Sequence, residues 1–168
     1  MTKVNIETVK NEVVLQAEGV SRTYPMGDET VQALINVTFT VRRGEFVAVM
    51  GPSGSGKSTL LHLLGLVDRP DAGDVLVEGR STISLDDNAL TLLRRDRLGF
   101  VFQSFELLPS LNARENILLP ADIAGRLRAA EARLEPLARQ LGLQERLTHR
   151  PSELSGGQRQ RVALGGAE

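Results

Sequence analysis

The sequence predicts an α/β fold: strands lead into a strand–phosphate loop–helix unit, and a mostly helical stretch follows. Three observations carry this expectation. Gly51-Pro52-Ser53-Gly54-Ser55-Gly56-Lys57-Ser58 fits the phosphate-loop pattern G-x-x-x-x-G-K-[ST]. The preceding run, Phe46-Val47-Ala48-Val49-Met50, is apolar, partly β-branched and bounded by Gly44 and Gly51, as a buried strand would be. From Leu111 onward the pattern turns from mixed to mostly helical.

Val13 to Val20 reads as a first strand, ending near Tyr24-Pro25, where Pro25 is expected to stop ladder pairing. Met26 to Thr30 reads as a polar turn, and Val31 to Leu34 resumes as strand. Val37, Phe39 and Val41 alternate with Thr38, Thr40 and Arg42, giving a strand with one wet face. Arg42-Arg43-Gly44-Glu45 turns the chain into the strand that feeds the loop. After it, Leu60, Leu61 and Leu64 share one helical face. Asp68 to Gly73 is a Pro/Gly-rich break, and Asp74 to Gly79 is another alternating strand. Asp86 or Asp87 can cap a helix running to about Arg97, with an exposed basic face. Leu98 to Phe102 is expected to form one more buried strand, ending on Gln103. Leu111 to Leu119 reads as a short helix closed by Pro120. A second helix covers Leu127 to Leu141, kinked or split at Pro136 and stopped by Gly142.

The loop's residue types suit a polyphosphate. Its glycines let the backbone turn N–H groups inward, and the helix start adds partial positive charge. Lys57 brings a full charge to the β- and γ-phosphates, and the Ser58 hydroxyl is placed to ligate Mg²⁺. A dinucleotide fingerprint fails, because Thr59 stands where G-x-G-x-x-G wants glycine. Tyr24, the single tyrosine of a chain without tryptophan, has two readings. It is either a half-buried surface aromatic or a platform for a stacked adenine, the latter worth about 1–3 kcal/mol. Nothing local decides between them.

Composition sets bounds on the partners. At 168 residues, 41% hydrophobic and 24% charged, the chain has the makeup of one globular domain with room for a sub-lobe. Lys+Arg 20 against Asp+Glu 21 offers no global field for nucleic acid or an anionic membrane. The absence of cysteine excludes disulfides, thiol catalysis and thiolate metal sites. Met1 to Lys10 is polar with no apolar signal core, and the leucine-rich run around Leu60–Val67 is too short to span a bilayer. Membrane association would go through a partner.

A second motif changes the picture. Leu154-Ser155-Gly156-Gly157-Gln158 opens a further helix with Ser155 as N-cap. With the phosphate loop, and Gln103 between the two motifs, the chain resembles the ATP-binding-cassette ATPases from about Val13 to Leu164. That resemblance implies a P-loop NTPase core with N-terminal antiparallel strands and a helical subdomain. It implies a β-subdomain and phosphate-loop core over about residues 1–110, a helical subdomain over about 111–154, and the signature with the start of its helix over 154–168. It implies that ATP is held by Gly51, Ser53, Gly54, Ser55, Gly56, Lys57, Ser58 and Thr59, with adenine stacked on Tyr24. Ser58 and Gln103 would serve Mg²⁺, and Gln103 would also sense the attacking water. Ser155, Gly156, Gly157 and Gln158 would meet the γ-phosphate of a second subunit. Phe102-Gln103-Ser104-Phe105, Leu108-Pro109, Leu111-Asn112-Ala113, Glu115-Asn116 and Leu119-Pro120 resemble the lipoprotein-release and macrolide-efflux branch.

The family pattern continues past Leu164 with a helix, an apolar strand ending Asp-Glu and a switch histidine; here Gly165-Gly166-Ala167-Glu168 follows. No apolar strand ending Asp-Glu stands upstream, Asp28-Glu29 being a turn, and His62 and His149 read as ordinary packing or surface residues. The chain therefore reads as a C-terminally truncated frame lacking the last part of the core sheet, with Gly165-Gly166 expected to interrupt the helix. It lacks a general base, so ATP binding with turnover near background is expected. The resemblance implies an integral-membrane permease as partner, on the cytoplasmic face of the plasma membrane. It also implies a homodimer, or pairing with a complete ATPase subunit, and no nucleic acid. The remaining readings are a non-hydrolysing module and a non-functional fragment.

Overall fold

The computed structural model describes residues 12–27 and 29–167. The polar stretch Met1–Lys10, Asp28 of the expected turn and Glu168 lie outside the described residues. The chain separates into two compact units, one reaching Thr91 and the other beginning at Leu92.

The first unit is built on a four-stranded antiparallel sheet in the order β2-β1-β3-β4. These strands are β1 (Val13–Met26), β2 (Glu29–Arg42), β3 (Ala72–Val77) and β4 (Arg80–Ser81). Two expectations are corrected here. Pro25 does not end the strand: β1 runs on to Met26, with Pro25 opposite Thr30. The ladder to β3 stops at Ser21–Ala72, so Pro25 stands where β1 has one neighbour only and its missing N–H costs no ladder bond. Nor are Met26 to Thr30 and Val31 to Leu34 separate pieces. A tight turn at Gly27 (φ 63°) joins two 14-residue strands. Helix α1 (Lys57–Leu64) packs against β1 and β2, burying Leu60, Leu63 and Leu64. Ala17, Val20, Leu34, Val75 and Val77 complete this core. The buried side chains of α1 differ by one from the expected set, because Leu61 is exposed and Leu63 is fully buried.

Helix α2 (Asp87–Arg97) starts in the first unit and ends in the second. Asp86 rather than Asp87 is its cap: the Asp86 carboxylate accepts from the Ala89 N–H at 2.7 Å.

The second unit is helical: α3 (Ala113–Ile123), α4 (Leu127–Gln140) and α5 (Gly156–Gly166), with 3₁₀ turns at Gln144–Arg146 and Pro151–Glu153. Ala113, Ile117, Leu118, Leu134, Leu143, Leu154 and Val162 form its core. Asn112 and Glu115 start α3 with a capping box. Buried Asn116 accepts from the Leu108 N–H at 2.8 Å and donates to the carbonyls of Leu108, Leu111 and Asn112, fastening the preceding loop to the helix. Pro120 does not close α3, and Pro136 does not split α4; both lie inside continuous helices. A proline removes only its own N–H from the ladder, and burial of Ile117, Leu118, Leu134 and Ala138 outweighs that loss. Gly142 stops α4 as expected, at φ 62°.

The largest departures concern the two central strands. Neither 46–50 nor 98–102 forms a strand, and Phe46 is 96% exposed and Met50 87%. A strand is a property of its ladder, and among the described residues no parallel neighbour pairs with either run. The apolar character is present, but among the described residues a neighbouring strand is not.

Candidate functional site

In the first unit the phosphate loop is shaped by its glycines. Gly54 and Gly56 take left-handed φ values of 81° and 84°, open to glycine at little cost. At Gly56 a Cβ would run into the Ala33 carbonyl oxygen and the Leu34 side chain, so β2 holds the loop at contact distance. Gly56 is also the N-cap of α1, and it has no side chain to cap it. The first N–H groups of a helix have no acceptor within it, so those of Lys57, Ser58 and Thr59 stay free of a side-chain cap. The Ser55 N–H closes the loop onto Pro52 O at 3.3 Å. The Lys57 ammonium reaches back over the loop, donating to Pro52 O at 2.6 Å and standing 3.5 Å from Ser55 Oγ. Lone N–H groups, a helix N-terminus and a mobile-stemmed cation thus converge on one short segment, the arrangement an anion with several oxygens requires. Ser53 and Ser58 are exposed beside it.

Tyr24 is half-buried and firmly held. Its hydroxyl donates to Asp68 Oδ2 at 2.7 Å, and the Arg22 guanidinium lies 4.9 Å from its ring centroid. Arg22 binds Asp68 with both ends of its fork, at 2.9 and 2.8 Å, and pairs with Asp71 as well. Asp71 also accepts the Thr23 N–H at 2.7 Å, and Asp68 accepts the Arg69 N–H at 2.8 Å. Asp68 titrates below the usual aspartate range: burial pushes it up, but hydrogen bonds from Tyr24 and Arg69 and the charge of Arg22 outweigh that. Asp71 is lowered by the Thr23 N–H and the Arg22 guanidinium. These residues were missed in the sequence, where Asp68 to Gly73 reads only as a chain break. The i, i+2 spacing of Arg22 and Tyr24 on a strand, which sets both on one face, was the available signal.

In the second unit the signature segment opens α5. Ser155 Oγ accepts from the Gln158 N–H at 3.3 Å, and Gln158 Oε1 accepts from the Ser155 N–H at 2.8 Å. This capping box makes α5 the opposite of α1: its start is closed by its own side chains. A Cβ on Gly156 or Gly157 would meet nothing within 4 Å, so backbone there faces open space. Gln103 is exposed in a turn closed by Phe105 N–H to Phe102 O at 3.1 Å, not at a strand end. The Arg159 guanidinium lies 5.7 Å from the Phe105 ring centroid, so this turn and the signature helix touch. The structure thus gathers Gln103 and Ser155–Gln158 in one unit, and Tyr24 and Gly51–Thr59 in the other. A separate cavity of about 560 Å³ in the second unit, lined mainly by α3, α4 and the end of α5, contains none of these residues.

The Gly165-Gly166 pair does not interrupt α5, which continues to Gly166. Gly165 is buried, and a Cβ there would stand 3.1 Å from Ile117 and Leu141 side-chain atoms. Close approach to α3 and the end of α4 explains a glycine that helix propensity alone disfavours.

With this geometry in view, the chain belongs to the ABC transporter family, whose sequence model matches residues 34–167. It is 49% identical to the lipoprotein-releasing system ATP-binding protein LolD of Maricaulis maris, covering 92% of this chain and 68% of that protein. It is 49% identical to the macrolide export ATP-binding/permease protein MacB of Marinobacter nauticus, covering 90% of this chain but 24% of that protein. Among solved structures, it is similar to a dimeric ATP-binding cassette in a post-hydrolysis state bound to ADP and Pi. There the TM-score is 0.80 and the identity 42%, with 91% of this chain and 68% of that one covered. The chain therefore spans about a quarter of the macrolide export relative and about two thirds of the lipoprotein-releasing one.

Proposed function

We propose that this chain is the nucleotide-binding part of an ABC ATPase that couples ATP to a membrane permease of the export or lipoprotein-release type. The observation that carries the reading is the start of α1: Gly56 at φ 84° with no side-chain cap, directly before Lys57. A helix start left open in this way favours an anionic ligand, and family membership supports the triphosphate of ATP as that ligand. Lys57 would leave Pro52 O for the phosphates, and Thr59 and the loop N–H groups would hold them. Mg²⁺ fits the Ser58 hydroxyl, since this cation takes few protein ligands and draws the rest from phosphate and water. When bound, it would neutralise charge on the transferring phosphate. Gln103 would serve the same metal and its water, and Ser155 to Gln158 the γ-phosphate held by a second subunit; similarity to a dimeric cassette supports pairing of two subunits.

In the same reading, about 1–110 would be the β-subdomain and phosphate-loop core, about 111–154 the helical subdomain, and 154–168 the signature with the start of its helix. The chain would sit at the cytoplasmic face of the membrane through its permease; among the described residues no helix is long and apolar enough to cross a membrane. ATP turnover by this chain alone is expected near background. Without a general base the rate would fall about 10²–10⁴-fold.

Thermal melts with and without Mg-ATP test this. At about a hundred times Kd, binding adds about 2.7 kcal/mol of stability, an upward shift that Lys57→Ala should remove. No shift in the wild-type chain would overturn nucleotide binding. Brisk phosphate release abolished by Lys57→Ala would overturn the expectation of near-background turnover.

A further inference from the structure

We propose that Asp68 and Arg22 are positioning residues for the base: they hold the Tyr24 ring at a set angle and tie it to the helix that carries the phosphate loop. The proposal rests on the reading of Tyr24 as the adenine platform, and it adds what makes that platform rigid.

The geometry points to this in three ways. The ring is held at two places, by its hydroxyl on Asp68 Oδ2 at 2.7 Å and by the guanidinium 4.9 Å from its centroid. A ring held only by its χ angles would sweep across two wells; one tethered at its tip and covered on one face does not. The cover is also selective, since Arg22 occupies one face of the ring and a stacked base takes the other. A cation on one face draws π density toward itself, which makes the opposite face a better partner for an electron-rich purine.

The third point concerns where Asp68 is attached. Helix α1 ends at Leu64, and the chain to Asp68 is folded tightly back on it: Gly65 N–H to Leu61 O at 2.8 Å, Val67 N–H to His62 O at 2.9 Å and Asp68 N–H to His62 O at 3.3 Å. Asp68 is therefore a fixed extension of the helix whose first turn is the phosphate site. Four donors converge on it, from Tyr24, from Arg22 twice and from the Arg69 N–H, which fills the capacity of a carboxylate. A second clasp lies alongside: Asp71 accepts the Thr23 N–H at 2.7 Å, and its own N–H donates to Ser21 O at 2.9 Å. The strand segment 21–24 and helix α1 are thereby locked together, fixing the span from base platform to phosphate loop. A ligand with base and triphosphate joined would benefit from that span, whereas triphosphate alone would not.

The test compares the affinity of the full chain for Mg-ATP with that for Mg-tripolyphosphate, in the wild type and in Tyr24→Ala, Tyr24→Phe, Asp68→Asn and Arg22→Lys. Tyr24 is the single tyrosine and there is no tryptophan, so tyrosine emission reports on this ring alone. A phenol bonded to a carboxylate is quenched, and emission should rise in Asp68→Asn. Tyr24→Phe and Asp68→Asn should weaken Mg-ATP about three- to tenfold, the scale of one hydrogen bond, with tripolyphosphate unchanged. Tyr24→Phe leaves the Arg22–Asp68–Asp71 clasp in place and covers the case in which Asp68→Asn fails to fold. If Tyr24→Ala leaves the ratio of the two affinities unchanged, the platform reading itself falls. If Tyr24→Ala lowers that ratio while Tyr24→Phe, Asp68→Asn and Arg22→Lys do not, the platform stands and the positioning role is overturned. Equal losses for both ligands in Asp68→Asn would also overturn it, because the effect would then lie in the helix and not in the ring.

Discussion

Gly56 combines a left-handed backbone, a close approach to β2 and an uncapped helix start at one position. Alanine there meets both a positive φ and the Ala33 carbonyl oxygen, so Gly56→Ala should cost at least about 1–3 kcal/mol and remove Mg-ATP binding. Chemical denaturation and titration of the folded variant check the two effects separately. Asp68 and Asp71 supply a pH dependence. Both are lowered in the folded chain, so they bind protons less readily folded than unfolded. Their contribution to stability is then present above the ordinary aspartate value of about 3.9 and disappears as pH falls through the lowered folded values. Acid unfolding followed by circular dichroism should show a shallower loss of stability below about pH 4 in Asp68→Asn than in the wild type. At this scale the sequence is legible where one residue type has one use, as in the phosphate loop. It is silent where a residue's role depends on distant partners: Asp68 reads as a turn residue until Arg22 and Tyr24 are seen on it.

Among elements, the contrast between α1 and α5 is the informative one. Both have a small residue at the N-cap, but α5 closes its own N-terminus through Ser155 and Gln158 while α1, capped by Gly56, has no side-chain cap. Ser155→Ala should therefore destabilise the second unit by about 1 kcal/mol, whereas truncations in the phosphate loop should cost binding before stability. The two glycines at the end of α5 should respond in opposite directions. Gly166→Ala should stabilise by up to about 1 kcal/mol, as its nearest neighbours stand at ordinary contact distance. Gly165→Val should destabilise by about 1–3 kcal/mol through overpacking against Ile117 and Leu141. Thermal melts of the two variants decide this. The start of α5 and the stop of α4 were readable from Ser155 and Gly142, because a cap is a local bond. Pro120 was misread as a stop, and of the two outcomes expected at Pro136 the split does not occur, because burial of neighbouring side chains decides whether one lost bond matters.

At the scale of the whole molecule, two apolar runs lack the ladder their composition suits. Phe46 and Met50 face solvent almost fully, and so exposed an apolar segment favours association. Phe46→Ser should lower light scattering on heating while changing stability by no more than about 0.5 kcal/mol. Equal scattering would show that association arises elsewhere. Local sequence determined the family, the phosphate loop, the signature cap and most helices, since each depends on residues within a few positions of one another. Tertiary structure alone decided that residues 46–50 and 98–102 stand without a ladder, that Gly165 is a contact and not a break, and that Tyr24 is clasped to the end of α1. Strand pairing, close packing and ion networks join residues far apart in the chain, so no stretch read in isolation carries them.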